Sequence, residues 1–322
     1  MSVLLLGNGV NQLEGLAPGW DGLLKQIAAK HGCKSDASLS NILGYEMLEQ
    51  QILRNDPKAT VRSVRQSIAD GVQTKALLEK RDWSGSVHAK LTALPVNTIL
   101  TTNYDYALER SLDAGFQPVR FSTETTYSLR RFHDAGGKRV FHVHGECEKP
   151  NSICLGYEHY AGTLQKIREQ IVLSTGKTMP GKGYSFQLAD ILHGLTEKPA
   201  DSWIYDFFLE DVYILGLSLD VSELDLWWLL SYRSKQRTAG RLPIENRVVF
   251  LDTGRDEVKD ERPDCARSDC GYRKRALNAR REERRRKRAL LDSFGVEYVM
   301  CAGDSFPAQY DDALRRLKKL CL

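Results

Sequence analysis

Apolar residues along this chain follow two alternating patterns: short continuous runs, and longer stretches in which apolar positions recur at helical spacing. Short runs rich in Val, Leu and Ile, bounded by turn-forming residues, are typical of strands buried on both faces of a parallel sheet. Strands that alternate with helices predict a doubly wound, Rossmann-like α/β fold. The predicted strands cover residues 2–6, 98–100, 140–145, 211–216, 247–251 and 296–300.

Two stretches without strand-like runs interrupt this alternation. Residues 20–94 carry apolar side chains at helical spacing, separated by turn signals such as Asp56-Pro57, and predict four or five helices. We therefore expect one domain of residues 1–322 that contains a helical insertion over residues 12–95 and a second helical segment over residues 156–210. Within the second segment, residues 174–183 predict a mobile loop because Gly and Pro recur there.

The composition narrows the class of protein. No run approaches the roughly 20 apolar residues of a membrane-spanning helix, and the first run ends at Gly7 without a basic leader, so we expect a cytoplasmic protein without membrane contact. The seven cysteines are an odd number without a CxxC pair. This argues against a disulfide framework and against a structural zinc site.

The net charge of +4 is unevenly placed, because residues 265–288 alone carry eleven Lys and Arg against three Asp and Glu. We favour a solvated crossover helix over residues 276–291 that packs Ala276, Leu277, Leu290 and Leu291 inward. A direct nucleic-acid contact through the basic residues 273–288 is the less favoured alternative, since few aromatic side chains are interleaved to stack on bases.

Polar residues follow four of the predicted strands. Because the carboxyl ends of parallel strands open on one crevice, we expect these groups to converge there. A Gly-x-Gly turn lets backbone amides approach a phosphate, and His144 has an ordinary pKa suited to proton transfer near neutrality. Each group also has a simpler explanation, since a glycine pair forms tight turns and Asn or Asp caps helices. The groups lie at residues 7–11, 101–105, 144 and 216–220.

These turns, in this order, resemble the motifs of the sirtuin family. Residues 7–11, Gly-Asn-Gly-Val-Asn, are similar to its Gly-Ala-Gly-Ile-Ser loop, and residues 101–105, Thr-Thr-Asn-Tyr-Asp, to its Thr-Gln-Asn-Ile-Asp motif. His144-Gly145 is similar to the catalytic His-Gly, and residues 216–219, Gly-Leu-Ser-Leu, to the Gly-Thr-Ser-Leu loop. The residues of these motifs resemble those of the divergent bacterial sirtuin-like proteins of anti-phage defence more than those of protein deacylases.

The sequence departs from a deacylase after His144. The resemblance would place a four-cysteine zinc ribbon there, whereas Cys147 and Cys154 follow without CxxC pairs, and Thr102 replaces the glutamine of the motif. The resemblance therefore implies NAD as substrate, no metal, and water as the group that attacks the ribose. The implied activity is that of an NAD glycohydrolase (NADase), a regulated effector that depletes NAD in abortive infection.

The resemblance also implies roles for single residues. Asn103 orients water or a ribose hydroxyl, Asp105 binds the nicotinamide amide or steadies the developing positive charge, and His144 holds the ribose hydroxyls and acts as general base. The other nucleotide-binding candidates are Gly7, Asn8, Gly9 and Asn11, with Thr101 and Thr102, and on the adenosine side Gly216, Ser218 and Asp220, the last being equally well explained as a helix cap.

Two alternatives stay open. An NAD-dependent deacylase would release nicotinamide only with an acylated peptide, and a non-catalytic sensor or scaffold would bind NAD without turnover. Because unregulated NAD hydrolysis would kill the host, an active enzyme needs control, and no sensor domain is visible in the 322 residues. We therefore expect a homo-oligomer, a separate regulatory protein such as a motor ATPase or a nucleic-acid-guided protein, or both.

Overall fold

The computed structural model describes residues 2–17, 19–36, 39–72, 81–119, 126–172, 188–199, 201–254 and 271–321, with the backbone alone for residues 271–274 and 276. The loop predicted over residues 174–183, the pair Cys265 and Cys270, and Leu77 and Leu78 of the insertion lie outside the described residues.

Seven strands form one sheet in the order β3-β4-β2-β1-β5-β6-β7, and every neighbouring pair is parallel except β3 with β4. The chain leaves β1 toward β2 on one side and later returns to β5 on the other, which is the order of a doubly wound sheet. The predicted Rossmann-like α/β fold is confirmed. The strands are β1 Ser2–Leu6, β2 Thr98–Thr101, β3 His133–Ala135, β4 Lys138–His142, β5 Asp211–Leu215, β6 Val248–Asp252 and β7 Glu297–Met300.

Helices cover both faces of this sheet, and none of those described is long and apolar enough to cross a membrane. They are α1 Gly9–Leu13, α2 Trp20–Lys30, α3 Asn41–Asn55, α4 Val61–Val72, α5 Val87–Thr92, α6 Ala107–Leu112, α7 Gly156–Ile171, α8 Leu188–Leu192, α9 Trp203–Leu209, α10 Leu224–Thr238, α11 Gly271–Ser293 and α12 Phe306–Leu320, with a short 3₁₀ turn at Pro150–Ser152.

The central strands are apolar on both faces because each face has its own hydrophobic core. Val3 and Leu5 of β1 pack into one core with α9 and α10, whereas Leu4 and Leu6 pack into the other with α12. Side chains alternate between faces along a strand, so a continuous apolar run serves both cores. This explains why the central strands could be predicted from continuous apolar runs in the sequence.

The insertion helices α2, α3 and α4 have a third core, distinct from those of the sheet. Leu48 and Ile68 lie within it, together with Tyr106 from the turn after β2 and Ile153 and Leu155 from the segment after β4. The insertion is therefore anchored to the chain at the carboxyl ends of two neighbouring strands. This placement makes it a wall of whatever lies at that edge of the sheet.

Three sequence expectations need correction. The β3–β4 hairpin was not predicted, although Gly136-Gly137, both with positive φ, is a common two-residue hairpin turn. The strand predicted over residues 140–145 ends at His142, and the side chains of His142 and His144 contact different helices. In α11, Leu291 is buried but Leu290 is 41% exposed.

Gly216 permits an unusually close contact between the turns after β1 and β5. Its φ is +71°, and a Cβ there would lie 2.7 Å from the hydroxyl of Tyr310. A Cβ at Gly7 would lie 2.5 Å from the carbonyl oxygen of Gly216. Both positions therefore exclude any side chain, and the two turns are held against each other at the point where the sheet changes direction.

We expect Gly216→Ala to destabilise the fold more than Gly240→Ala. Both residues have positive φ, +71° and +60°, so each alanine costs roughly 1–2 kcal/mol of backbone strain. Only the alanine at position 216 adds a steric clash, since nothing lies within 4 Å of a Cβ at Gly240, and overpacking costs roughly 1–3 kcal/mol more. Urea unfolding of the two variants measures the difference, and equal losses would contradict the close contact.

Candidate active site

A cavity of about 460 Å³ lies at the carboxyl ends of the central strands. The insertion closes one side with side chains such as Trp20 and Ile42, and α7 closes another with Tyr160. Eight of the residues predicted from the sequence line it: Asn8, Gly9, Thr102, Asn103, Asp105, His144, Gly216 and Ser218. Among the described residues, the four strand ends therefore converge on one crevice, as the sequence predicted.

The other four candidates hold the turns together behind the cavity wall. The Thr101 hydroxyl donates to the carbonyl oxygen of Leu6 at 3.0 Å. The amide of Gly7 donates to the Leu215 carbonyl oxygen at 3.0 Å. The Asp220 carboxylate accepts from the amide of Ser222 at 2.9 Å and so forms an Asx turn before α10. It does not cap α10, whose N-cap residue is Glu223. The fourth, Asn11, supports Asp105.

Asn103 presents a buried polar atom to the cavity. Its backbone amide donates to the Thr101 hydroxyl at 3.0 Å, and its side-chain nitrogen lies 3.5 Å from the carbonyl oxygen of Gly7. Its side-chain oxygen Oδ1 is buried and has no hydrogen-bond partner among the described residues. An unpaired buried carbonyl oxygen costs free energy, so this atom is suited to a donor on a bound ligand.

His142 holds the backbone of Asn103 in place through a hydrogen bond. Its Nδ1 lies 2.7 Å from the carbonyl oxygen of Asn103, and its Nε2 lies 2.7 Å from a carboxylate oxygen of Glu109. Burial lowers the pKa of His142, but the Glu109 carboxylate outweighs burial and raises it to about 9. The protonated imidazole therefore donates to both partners at neutral pH, which makes His142 a positioning residue.

Asp105 is held by two donors. Its Oδ2 accepts from Asn11 Nδ2 at 2.6 Å, and its Oδ1 accepts from the amide of Ala107 at the start of α6 at 3.0 Å. Asn11 in turn lies 2.8 Å from Nε2 of His88, whose pKa burial and Arg81 lower to about 3, so a neutral His88 donates to it. Burial raises the pKa of Asp105. The carboxylate thus braces the turn while facing the cavity.

His144 lies between two carboxylates at the cavity wall. Its Nε2 is 3.0 Å from Asp225 Oδ2, its Nδ1 is 3.6 Å from Glu223 Oε2, and its ring meets that of Tyr160 edge to face. Burial lowers the pKa of His144, but Asp225 and then Glu223 raise it to about 9. At neutral pH His144 therefore carries a proton, which is the opposite of what a general base needs.

Glu223 is a buried carboxyl group whose pKa is raised to near neutrality. It lines the cavity at 8% exposure, and its Oε2 has no hydrogen-bond partner among the described residues. Burial raises its pKa, His144 lowers it and Asp225 raises it, with a net value of about 7. A pKa near the working pH is the property of an effective proton acceptor.

Among the described residues, two clusters offer metal-ligand atoms within 4.8 Å of one another: Glu109, His133 and His142, and His144, Glu223 and Asp225. In each cluster a histidine already pairs with a carboxylate, at 2.7 Å for His142 and 3.0 Å for His144. These pairs compensate the buried charges mutually.

Sequence reasoning missed Glu223 and Asp225 as site residues. An acidic residue at the start of a helix is ordinarily explained by the helix dipole, and both stand at the start of α10. Their approach to His144 depends on how α10 packs beside β4, over 81 residues of chain for the Asp225 bond. The acidic character after the Gly216 turn was the one available signal.

Residues 97–197 match the family described as the SIR2-like domain, and no curated protein matches the chain. The matched segment contains the Asn103 turn, strand β4 and His144, and it covers just under a third of the sequence. SIR2-like domains use NAD as a substrate, which agrees with a cavity at the switch point of a Rossmann-like sheet. Residues 97–197 are therefore similar to the SIR2-like domain, and this similarity supports an NAD-related function.

Proposed function

We propose that this protein is an NAD glycohydrolase that cleaves the bond between nicotinamide and ribose. The observation that carries the proposal is one cavity in which Asn103 Oδ1 and Glu223 Oε2 are both buried without hydrogen-bond partners among the described residues, and which His144 also lines. Two such acceptors suit a ribose with its hydroxyls and a water molecule. The cavity volume of about 460 Å³ lies within the roughly 300–1,000 Å³ usual for cofactor sites.

The reaction requires few groups. As the glycosidic bond breaks, its electron pair moves to the nicotinamide nitrogen and the ribose develops positive charge at C1′. The buried carboxylates Asp105 and Glu223 stabilise that charge in a site of low polarity. Asn103 Oδ1 accepts a hydrogen bond from the attacking water or a ribose hydroxyl and so holds the reactants in line.

In this proposal the proton of the attacking water passes to Glu223. His144, protonated and fixed through Nε2 by Asp225, donates from Nδ1 to the ribose hydroxyls instead of serving as base. The His144–Asp225 pair is close to neutral overall, so it does not oppose the positive charge on the ribose. The role expected for His144 from the sequence is thereby divided between two residues.

The acceptor in this proposal is water, because the chain has no CxxC pairs after His144 with which to build the zinc ribbon that shapes a deacylase cleft. Helices line two sides of the cavity instead: Trp20, Asn41 and Gly71 come from the insertion, and Gly156 and Tyr160 from α7. We retain the role of a regulated effector of anti-phage defence, controlled by homo-oligomerisation or a partner protein, as part of the proposal.

Asn103→Ala and His144→Ala should each reduce nicotinamide release from NAD by about 10²-fold or more, the usual loss when a group acting on the transition state is removed. The exposed residues Asn151 and His193 provide matched controls, since Asn151→Ala and His193→Ala remove the same side chains away from the cavity. Nicotinamide is quantified by chromatography without any acylated peptide. Unchanged release in the site variants would refute the mechanism.

The pH dependence of kcat/KM distinguishes Glu223 from His144 as the base. We expect activity to rise with pH through about 7, as Glu223 loses its proton, and to fall through about 9, as His144 loses its own. Glu223→Gln should lower kcat about 10²-fold and remove the limb near 7, whereas Glu158→Gln on the exposed side of α7 should change neither. A single rise near 9 would instead identify His144 as the base.

A further inference from the structure

The half-buried face of α11 is basic. Positions 280, 284, 287 and 291 are spaced by four, three and four residues, so they fall on one side of the helix. Leu291 is buried in the core, but the three positions before it are Arg280, Arg284 and Lys287, which are partly buried and line the cavity. A face that packs on a domain is ordinarily apolar, so cations here need a reason.

These cations lie over the carboxyl ends of β5 and β6. The ammonium group of Lys287 donates to the carbonyl oxygen of Ser218, in the turn after β5. Arg284 pairs with Asp252, the last residue of β6, at 3.4 Å. Arg280 lies one helical turn farther along and also faces the cavity. The basic face thus extends outward from the switch point of the sheet.

The turn expected to bind phosphate has already used its main donors. The amides of Gly7 and Gly9 donate to the carbonyl oxygens of Leu215 and Gly216 at 3.0 and 2.8 Å. Those glycines are explained by the close contact of the two turns. A nucleotide in this cavity therefore needs cations from another element to balance its phosphates.

The charge on the cavity side of α11 is suited to that task. Lys287 has no carboxylate within ion-pair distance among the described residues, and Ser218 offers it only a neutral carbonyl oxygen. Among the described residues, Glu283 of the same helix and Asp252 also line the cavity beside the three cations. Charge-assisted hydrogen bonds from Arg and Lys are the usual partners of phosphate oxygens.

The outer face of α11 is different. Arg285 and Arg286, both 77% exposed, share the carboxylate of Glu282, and Arg288 lies 3.7 Å from Asp292. The outward cations are thus partly compensated by acids on the same helix. The cavity-facing cations are therefore suited to a small bound anion. The outer cations are less suited to an extended polyanion, because neighbouring acids already compensate part of their charge.

We propose that Arg280, Arg284 and Lys287 bind the diphosphate of the dinucleotide, so that the basic segment of the chain is part of the substrate site. This inference rests on the proposed function for the identity of the ligand. It assigns the adenosine diphosphate half of the substrate to α11 and the reacting ribose to the strand ends across the cavity.

The test is the affinity of ADP-ribose and of adenosine, measured by calorimetry on the full chain. The variant Arg280→Ala/Lys287→Ala removes two cavity-facing cations and leaves the Arg284–Asp252 pair intact. Arg285→Ala/Arg286→Ala removes the same charge from the outer face. We expect the first variant to bind ADP-ribose at least about tenfold more weakly and adenosine within twofold of the unaltered chain, with the second variant within twofold for both ligands. Matching thermal unfolding of the variants confirms that the fold is intact.

Three results would overturn the proposal: ADP-ribose affinity unchanged in the cavity-facing variant, an equal loss in the outer-face variant, or no ADP-ribose binding to the unaltered chain. The first and third results exclude a diphosphate site at these cations. The second indicates a general effect of charge. Because binding is measured without turnover, the outcome is separate from that of the hydrolysis assay. A chain that binds ADP-ribose through α11 but does not hydrolyse NAD would retain this site and lose the proposed activity.

Discussion

The site depends on the contact between the turns that follow β1 and β5. These two strands are neighbours at the centre of the sheet, and their turns meet so closely that neither Gly7 nor Gly216 tolerates a Cβ. The contact uses the amides of the first turn for protein hydrogen bonds and leaves an open crevice beside them. The proposed catalytic groups then come from the turns after β2 and β4 and from the start of α10, and the proposed phosphate-binding cations come from α11. This one packing contact therefore determines which elements are left to supply the proposed catalytic groups and cations of the cavity.

Buried charge is the second determinant of the site. Two histidines at the end of β4 each face a carboxylate, and in both cases the carboxylate outweighs burial and keeps the imidazole protonated at neutral pH. His142 uses its proton to hold the backbone of Asn103. His144 keeps Glu223 close to a pKa of 7 by opposing the effect of burial on that carboxyl group. The partners of each histidine therefore determine its proposed role. His142 positions Asn103, and His144 adjusts the pKa of the proposed proton acceptor, Glu223.

The parts that the sequence predicted were those with a local physical cause. Strands such as β1 and β5 were predicted because they are buried on both faces, and Asn103 and His144 because polar residues at strand ends converge in this class of fold. Glu223 was missed because its environment is created by tertiary packing. The basic face of α11 was misjudged for a related reason: a charged helix suggests solvent exposure, and only the orientation of α11 brings Arg280 and its neighbours into the cavity.

The most direct test of water as the acceptor is hydrolysis of NAD in water labelled with oxygen-18, followed by mass spectrometry of the product. We predict ADP-ribose with one labelled oxygen, at the carbon that carried nicotinamide, and an equal amount of free nicotinamide without any peptide. Unlabelled product, or NAD that stays intact until an acylated peptide is added, would contradict it.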